Sequence, residues 1–154
     1  MEIYKIRFSN DGTSISYKQD DDTRISLDTD DLPLENFEIS VKSLKPYLAI
    51  ICELPEDGLI VKGLTFSYKK NKPFVTIVGS KPVGLSNSPF NIASPNIPCD
   101  ETSLLQIGKP VEGLFVILND IKTWTVHFID GERKKQEKLF NEPKKKKAKE
   151  DTRD

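Results

Sequence analysis

The sequence predicts an α+β fold: an antiparallel sheet of about four to five strands, two main helices against one face, and a disordered basic C-terminal tail. Three observations carry this expectation. Apolar and polar residues alternate near the N-terminus and again from Leu59 to Val78, the period-two pattern of half-buried strands. Apolar residues recur every three or four positions from Leu34 to Ile51 and from Leu114 to Phe128, as on one face of a helix. Turn signals separate these segments, Asn10-Asp11-Gly12 and Pro55-Glu56-Asp57-Gly58 among them.

Met1 to Phe8 places Tyr4, Ile6 and Phe8 on one face and Lys5 and Arg7 on the other. With the Asn-Asp-Gly turn and the alternation of Ile15 and Tyr17, this reads as a β-hairpin. Asp20-Asp21-Asp22 makes a solvated loop, and Arg24 to Leu27 is a third short strand. The stripe Leu34, Phe37, Val41, Leu44, Leu48 and Ile51 is helical. Asp31 lies near its start, where a carboxylate suits the helix dipole. Pro46 falls inside the stripe and predicts a kink or break near Lys45. Leu59 to Tyr68 and Phe74 to Val78 are two strands joined by Lys69-Lys70-Asn71-Lys72-Pro73. Residues 81–98 hold Pro82, Pro89, Pro95 and Pro98 and read as a long loop. Its apolar members Val83, Leu85, Phe90, Ile92 and Ile97 are expected to hold it on the body. A last helix is expected from near Pro110, with Leu114, Ile117, Leu118, Ile121, Trp124 and Phe128 as its stripe. The β preference of Thr123, Thr125 and Val126 leaves a strand open for part of it. Gly131 interrupts before a basic helical turn from Glu132 to Phe140, and disorder is expected beyond Pro143.

The 154 residues suffice for one domain with a core, assigned to 1–131, followed by a basic segment over 132–154. Total charge is −1, but residues 132–154 hold ten basic and six acidic residues, net +4, which leaves −5 for the rest. Nucleic acid or an acidic surface would meet the tail first. The alternative is a lysine run that only keeps a terminus solvated. No apolar run approaches a membrane span, and the start lacks a signal-peptide pattern, so a cytoplasmic protein is expected. Cys52 and Cys99 have no metal-ligand spacing and are expected as free thiols.

The chain offers little for catalysis, and neither enzymatic activity nor a cofactor is expected. With His127 as its single histidine, it has no multi-histidine metal site, and no histidine-dependent triad is expected. Gly108-Lys109-Pro110 lacks the upstream glycine and the hydroxyl of a phosphate loop. Ser67-Tyr68-Lys69-Lys70 matches Ser-x-x-Lys, but on a strand end. Asp28, Asp30 and Asp31 could gather a hard cation, or serve as solvated loop and capping residues. Phe66, Tyr68, Lys69, Lys70, Lys72 and Phe74 interleave aromatic and basic groups on one hairpin, the pattern of single-strand binding. Equally, Phe66 and Phe74 could be core while the lysines dress the turn.

Near the end, Gln136-Glu137-Lys138-Leu139-Phe140 places an apolar pair among charges, followed by Pro143 and Lys144, Lys145, Lys146 and Lys147. Gln136-x-x-Leu139-Phe140 resembles the pentapeptide by which bacterial polymerases and repair proteins dock on the ring-shaped sliding clamp. The resemblance implies Gln136 as polar anchor and Leu139 and Phe140 as apolar anchors in a groove, a mode in which few desolvated side chains supply the affinity. Glu137 and Lys138 depart from the pattern, which often has Leu and then a small or acidic residue, so affinity should be modest. The other reading makes Leu139 and Phe140 the last turn of an amphipathic helix on the protein's own core. More broadly, the helix end Ile51-Cys52-Glu53-Leu54-Pro55-Glu56-Asp57, the strand Gly63-Leu64-Thr65-Phe66-Ser67-Tyr68, the loop Ser86-Asn87-Ser88-Pro89 and the stretch from Asp130-Gly131-Glu132-Arg133 to Phe140 are similar to small uncharacterised bacteriophage and prophage proteins. That likeness implies a bacterial host cytoplasm. The expected function is a non-enzymatic accessory of DNA replication or recombination that docks on the clamp. Alternatives are a clamp-independent binder of single-stranded or duplex DNA and a metal-dependent nuclease.

Overall fold

A computed structural model describes residues 1–134. They form an α+β fold around one antiparallel sheet. Its strands are β1 (Glu2–Ser9), β2 (Gly12–Lys18), β3 (Arg24–Thr29), β5 (Ile60–Lys69), β6 (Lys72–Lys81), β7 (Phe90–Ala93) and β8 (Ile97–Pro98). Their order is β3-β2-β1-β5-β6-β7, with β8 also pairing β6. A small ribbon pairs β4 (Leu32–Pro33) with β9 (Arg133–Lys134). The helices are α1 (Glu35–Lys42), α2 (Lys45–Cys52), α3 (Glu101–Ile107) and α4 (Leu114–Ile129), with a 3-10 turn at Lys109–Val111.

The expected four to five strands thus become seven in the main sheet, and two main helices become four of unequal length. The extra strands come from the proline-rich stretch. Ile92 and Ile97 are buried there as expected, and their backbones pair with β6. Val83, Leu85 and Phe90 are exposed instead, Leu85 completely. The first long stripe breaks between Lys42 and Lys45, and Pro46 occupies the first turn of α2, where its missing N–H costs nothing. Pro110 belongs to the 3-10 turn, and α4 starts four residues later. The β-prone threonines stay helical within α4, whose apolar stripe is buried, and each hydroxyl bonds back to a carbonyl one turn earlier: Thr123 to Asn119 and Thr125 to Ile121. Beyond Gly131, Arg133 and Lys134 are strand, not a helical turn.

The helices cover one face of the sheet. Ile6, Ile15, Leu64 and Ile77 from the strands meet Phe37, Val41, Leu48, Leu118, Ile121 and Phe128 from the helices. Phe8, Phe37 and Phe128 form an edge-to-face series, with ring centroids 5.1 and 5.9 Å apart. A register shift between Ile3 and Lys5 takes Tyr4 out of the simple alternation: Ile3 is buried with Ile6, and Tyr4 is not. Gly63 lies where β5 shifts register and presses on β1. A Cβ there would stand 1.9 Å from the Ile6 carbonyl oxygen.

The other face carries no helix. Successive cross-strand partners Ser26, Ser16, Lys5, Thr65 and Thr76 form one row across it. Asp28, Ser14, Arg7 and Gly63 form the next.

Candidate nucleic-acid and partner interface

The β5–β6 hairpin closes through Lys70 and Asn71, both with positive φ (52° and 64°), the geometry of a tight two-residue turn that follows strand twist. Lys69 and Lys72 face each other across its base. The turn therefore holds Lys69, Lys70 and Lys72 together at one exposed tip. None of them is in an ion pair among the described residues. Like charges side by side repel, so this tip favours an anionic neighbour.

The aromatics of this hairpin divide. Phe66 is buried, with Lys122 of α4 4.9 Å over its ring, so it belongs to the core. Tyr68 is 37% exposed and meets Tyr4 edge-on at 5.8 Å. Burial, and then the charge of Glu2, push the Tyr68 phenol up to about 12, so it remains a neutral hydrogen-bond donor. Phe74 is half-buried. Tyr4, which the alternation assigns to the core, is the missed member of this group. Arg24 lies 4.4 Å over its ring, and its hydroxyl donates to Glu2.

The candidate aspartates do not converge. Asp28 sits on β3 and accepts the Ser14 hydroxyl. Asp31 pairs with Arg133 at 3.3 Å, and its backbone carbonyl takes the Thr13 hydroxyl. Asp30 is exposed. Nor does Asp31 serve the helix dipole: Leu34 occupies the N-cap, and the first-turn acids are Glu35 and Glu38. Among the described residues no three His, Cys, Asp or Glu gather as metal ligands. His127 is half-exposed on α4, with Nδ1 2.6 Å from Glu132 and its ring beside Trp124. Cys52 and Cys99 are separate thiols, and burial pushes both up in pKa, away from the reactive thiolate. Gly108 precedes the 3-10 turn and Pro110 lies within it, and together they form no phosphate loop.

Gln136, Leu139 and Phe140, and Lys144, Lys145, Lys146 and Lys147, lie outside the described residues. Lys134 ends β9 at an exposed position beside Leu32, Pro33, Glu35 and Glu38. An apolar groove of ≈ 470 Å³ lies elsewhere, between α3, the 3-10 turn and α4, lined by Leu104, Leu105, Val111, Phe115 and Val116. No helix among the described residues is long and apolar enough to cross a membrane. Comparison with protein-family models, with curated proteins and with solved structures finds no match to this chain.

Proposed function

We propose that this protein is a non-enzymatic accessory of DNA replication or recombination, of phage type, that docks on the bacterial sliding clamp through Gln136, Leu139 and Phe140. The carrying observation is the pentapeptide itself, which begins two positions after exposed Lys134 of the sheet ribbon. A short peptide displayed next to a folded body can bind a groove without remodelling that body. The lysines at 144–147 add attraction to DNA threaded through the ring.

The test uses the full chain and purified clamp. The expected result is binding that the double substitution Leu139→Ala/Phe140→Ala abolishes while the melting temperature holds. A large loss of melting temperature in that variant would assign both side chains to the protein's own core and remove the docking reading.

A second reading, clamp-independent binding of nucleic acid, is favoured by one observation: Lys69, Lys70 and Lys72 share an exposed tip beside Tyr68 and Tyr4. Anisotropy with a labelled single-stranded oligonucleotide at low salt, without clamp, separates the two.

A further inference from the structure

The helix-free face of the sheet holds a cation that the hairpin and tail do not account for. Arg7 is partly buried in the middle of β1. Its Nη1 donates to the carbonyls of Ile6 and Leu64, each at 2.9 Å, and its Nη2 donates to the Thr65 hydroxyl at 2.7 Å. Every acceptor is neutral, and Nε–H has none among the described residues. No carboxylate pairs with Arg7 there either. Asp11 and Asp28 line a separate groove with Arg7 without pairing with it; Asp28 lies two strands away and is engaged by Ser14, which stands between them.

This arrangement is uncommon for structural reasons. A charge held partly out of water costs stability unless an opposite charge or strong hydrogen bonds offset that loss. Burial here pulls the Arg7 pKa down. The guanidinium is also fixed in orientation by its three bonds, so little freedom remains to be lost when a ligand arrives.

Beside it runs a groove of ≈ 330 Å³ between β1 and β5 on one side and β6 and β7 on the other. Arg7, Lys62 and Asn91 line it with Val78, Gly79 and Ala93. Lys62 is half-buried and has no ion-pair partner among the described residues. No acid lines this groove among the described residues. It thus combines a fixed planar donor, a second cation on a flexible stem and a primary amide, over a floor without competing negative charge. Those are the requirements for a tetrahedral oxyanion.

We infer that the groove between Arg7, Lys62 and Asn91 binds a phosphate group. Arg7 supplies the oriented donors, Lys62 the second charge and Asn91 a neutral donor at the rim. The phosphate belongs either to a small molecule or to the backbone of a nucleic-acid strand crossing the hydroxyl-rich face. The site is independent of the clamp peptide and of the hairpin lysines, and it stands or falls without them.

The experiment titrates the ¹⁵N-labelled full chain with inorganic phosphate at constant ionic strength set by chloride, and follows the arginine Nε–H signals by NMR. The expected result is a saturable shift of the Arg7 Nε–H, with the signals of Arg24 and Arg133 unmoved. Lys62→Gln, a change on the partly exposed rim that leaves the Arg7 contacts in place, should weaken phosphate binding about tenfold. A second titration with an unphosphorylated single-stranded oligonucleotide identifies the source. A shift of the same signal, reduced by Lys62→Gln, supports the site with strand phosphates as its ligand. A shift with phosphate alone supports the site with a small phosphate as its ligand. An Arg7 Nε–H that moves with neither, or moves equally with chloride, overturns the proposal. Because the signal is read in the wild-type chain, the outcome does not depend on whether Arg7→Gln folds.

Discussion

The two faces of the sheet are made by the same strands and differ in almost everything else. Toward the helices, Ile6, Ile15, Leu64 and Ile77 are fully buried and touch a continuous apolar layer. Toward the other side, alternate residues of those strands are Ser14, Ser16, Lys5, Arg7, Thr65 and Thr76. The first face holds the protein together. The second contributes little to that and is therefore free to serve binding. A period of two assigns residues to opposite faces, but their consequences for stability and recognition separate cleanly only because one face is capped by helices.

The largest test of this contrast is Phe128→Ala. Phe128 is fully buried and meets both Phe37 and the Arg133 guanidinium, so its loss should cost about 3–5 kcal/mol. Ser16→Ala on the opposite face should stay within about 0.5 kcal/mol. Denaturant unfolding of both variants measures the difference, and similar losses would mean that the helix-free face is also structural. Next comes Gly63→Ala, which forces a methyl group into the Ile6 carbonyl and should destabilise by about 2 kcal/mol or more. Gly84→Ala, where an added Cβ meets nothing within 4 Å, is the matched control.

Charge reversal tests the binding side. Lys69→Glu/Lys70→Glu/Lys72→Glu should leave the melting temperature nearly unchanged but flatten the salt dependence of oligonucleotide binding. Three lost phosphate contacts reduce the slope of log K against log salt by about 2. An unchanged slope would move the contact away from the hairpin tip.

The smallest effect concerns pH. The side chain and N–H of Ser103 hold the Asp100 carboxyl below the usual aspartate range, with a lesser contribution from Lys72. Its folded pKa is therefore below its unfolded one. The stabilisation it gives α3 is present at neutral pH and is lost as pH falls through the folded value. Melting temperature followed from about pH 5 to about pH 2 should drop less steeply in Asp100→Asn than in the wild type. An identical pH profile would show that the cap contributes nothing.

Much of this architecture is legible in the residues. The hairpin from Ile3 to Tyr17, the break at Pro46 and the stripe from Leu114 to Phe128 follow from local patterns, although the register shift in β1 buries Ile3 in place of Tyr4. β7 and β8 do not, because four prolines hide the pattern and only Ile92 and Ile97 turn inward. Their strand character exists only through pairing with β6, which is a long-range fact. Helix α3 is equally quiet, with Leu104 as its one buried residue, although Asp100 and Ser103 do carry a capping signal. At the candidate sites, the lysine tip is readable because strands flank it on both sides. Arg7 is readable only as a polar alternation. That its face of the sheet lacks a helix, and that no carboxylate among the described residues pairs with it, depend on the whole fold.

Arg133 closes a ribbon with Pro33, donates Nε–H to the Phe128 carbonyl, lies over the Phe128 ring and pairs with Asp31. Anything that grips the chain beyond residue 134 therefore pulls on a rivet joining the last helix to the first third of the polypeptide. Tension applied there enters through the aromatic centre of the core instead of peeling off an edge strand. Arg133 is thus an anchor point through which force would reach the core.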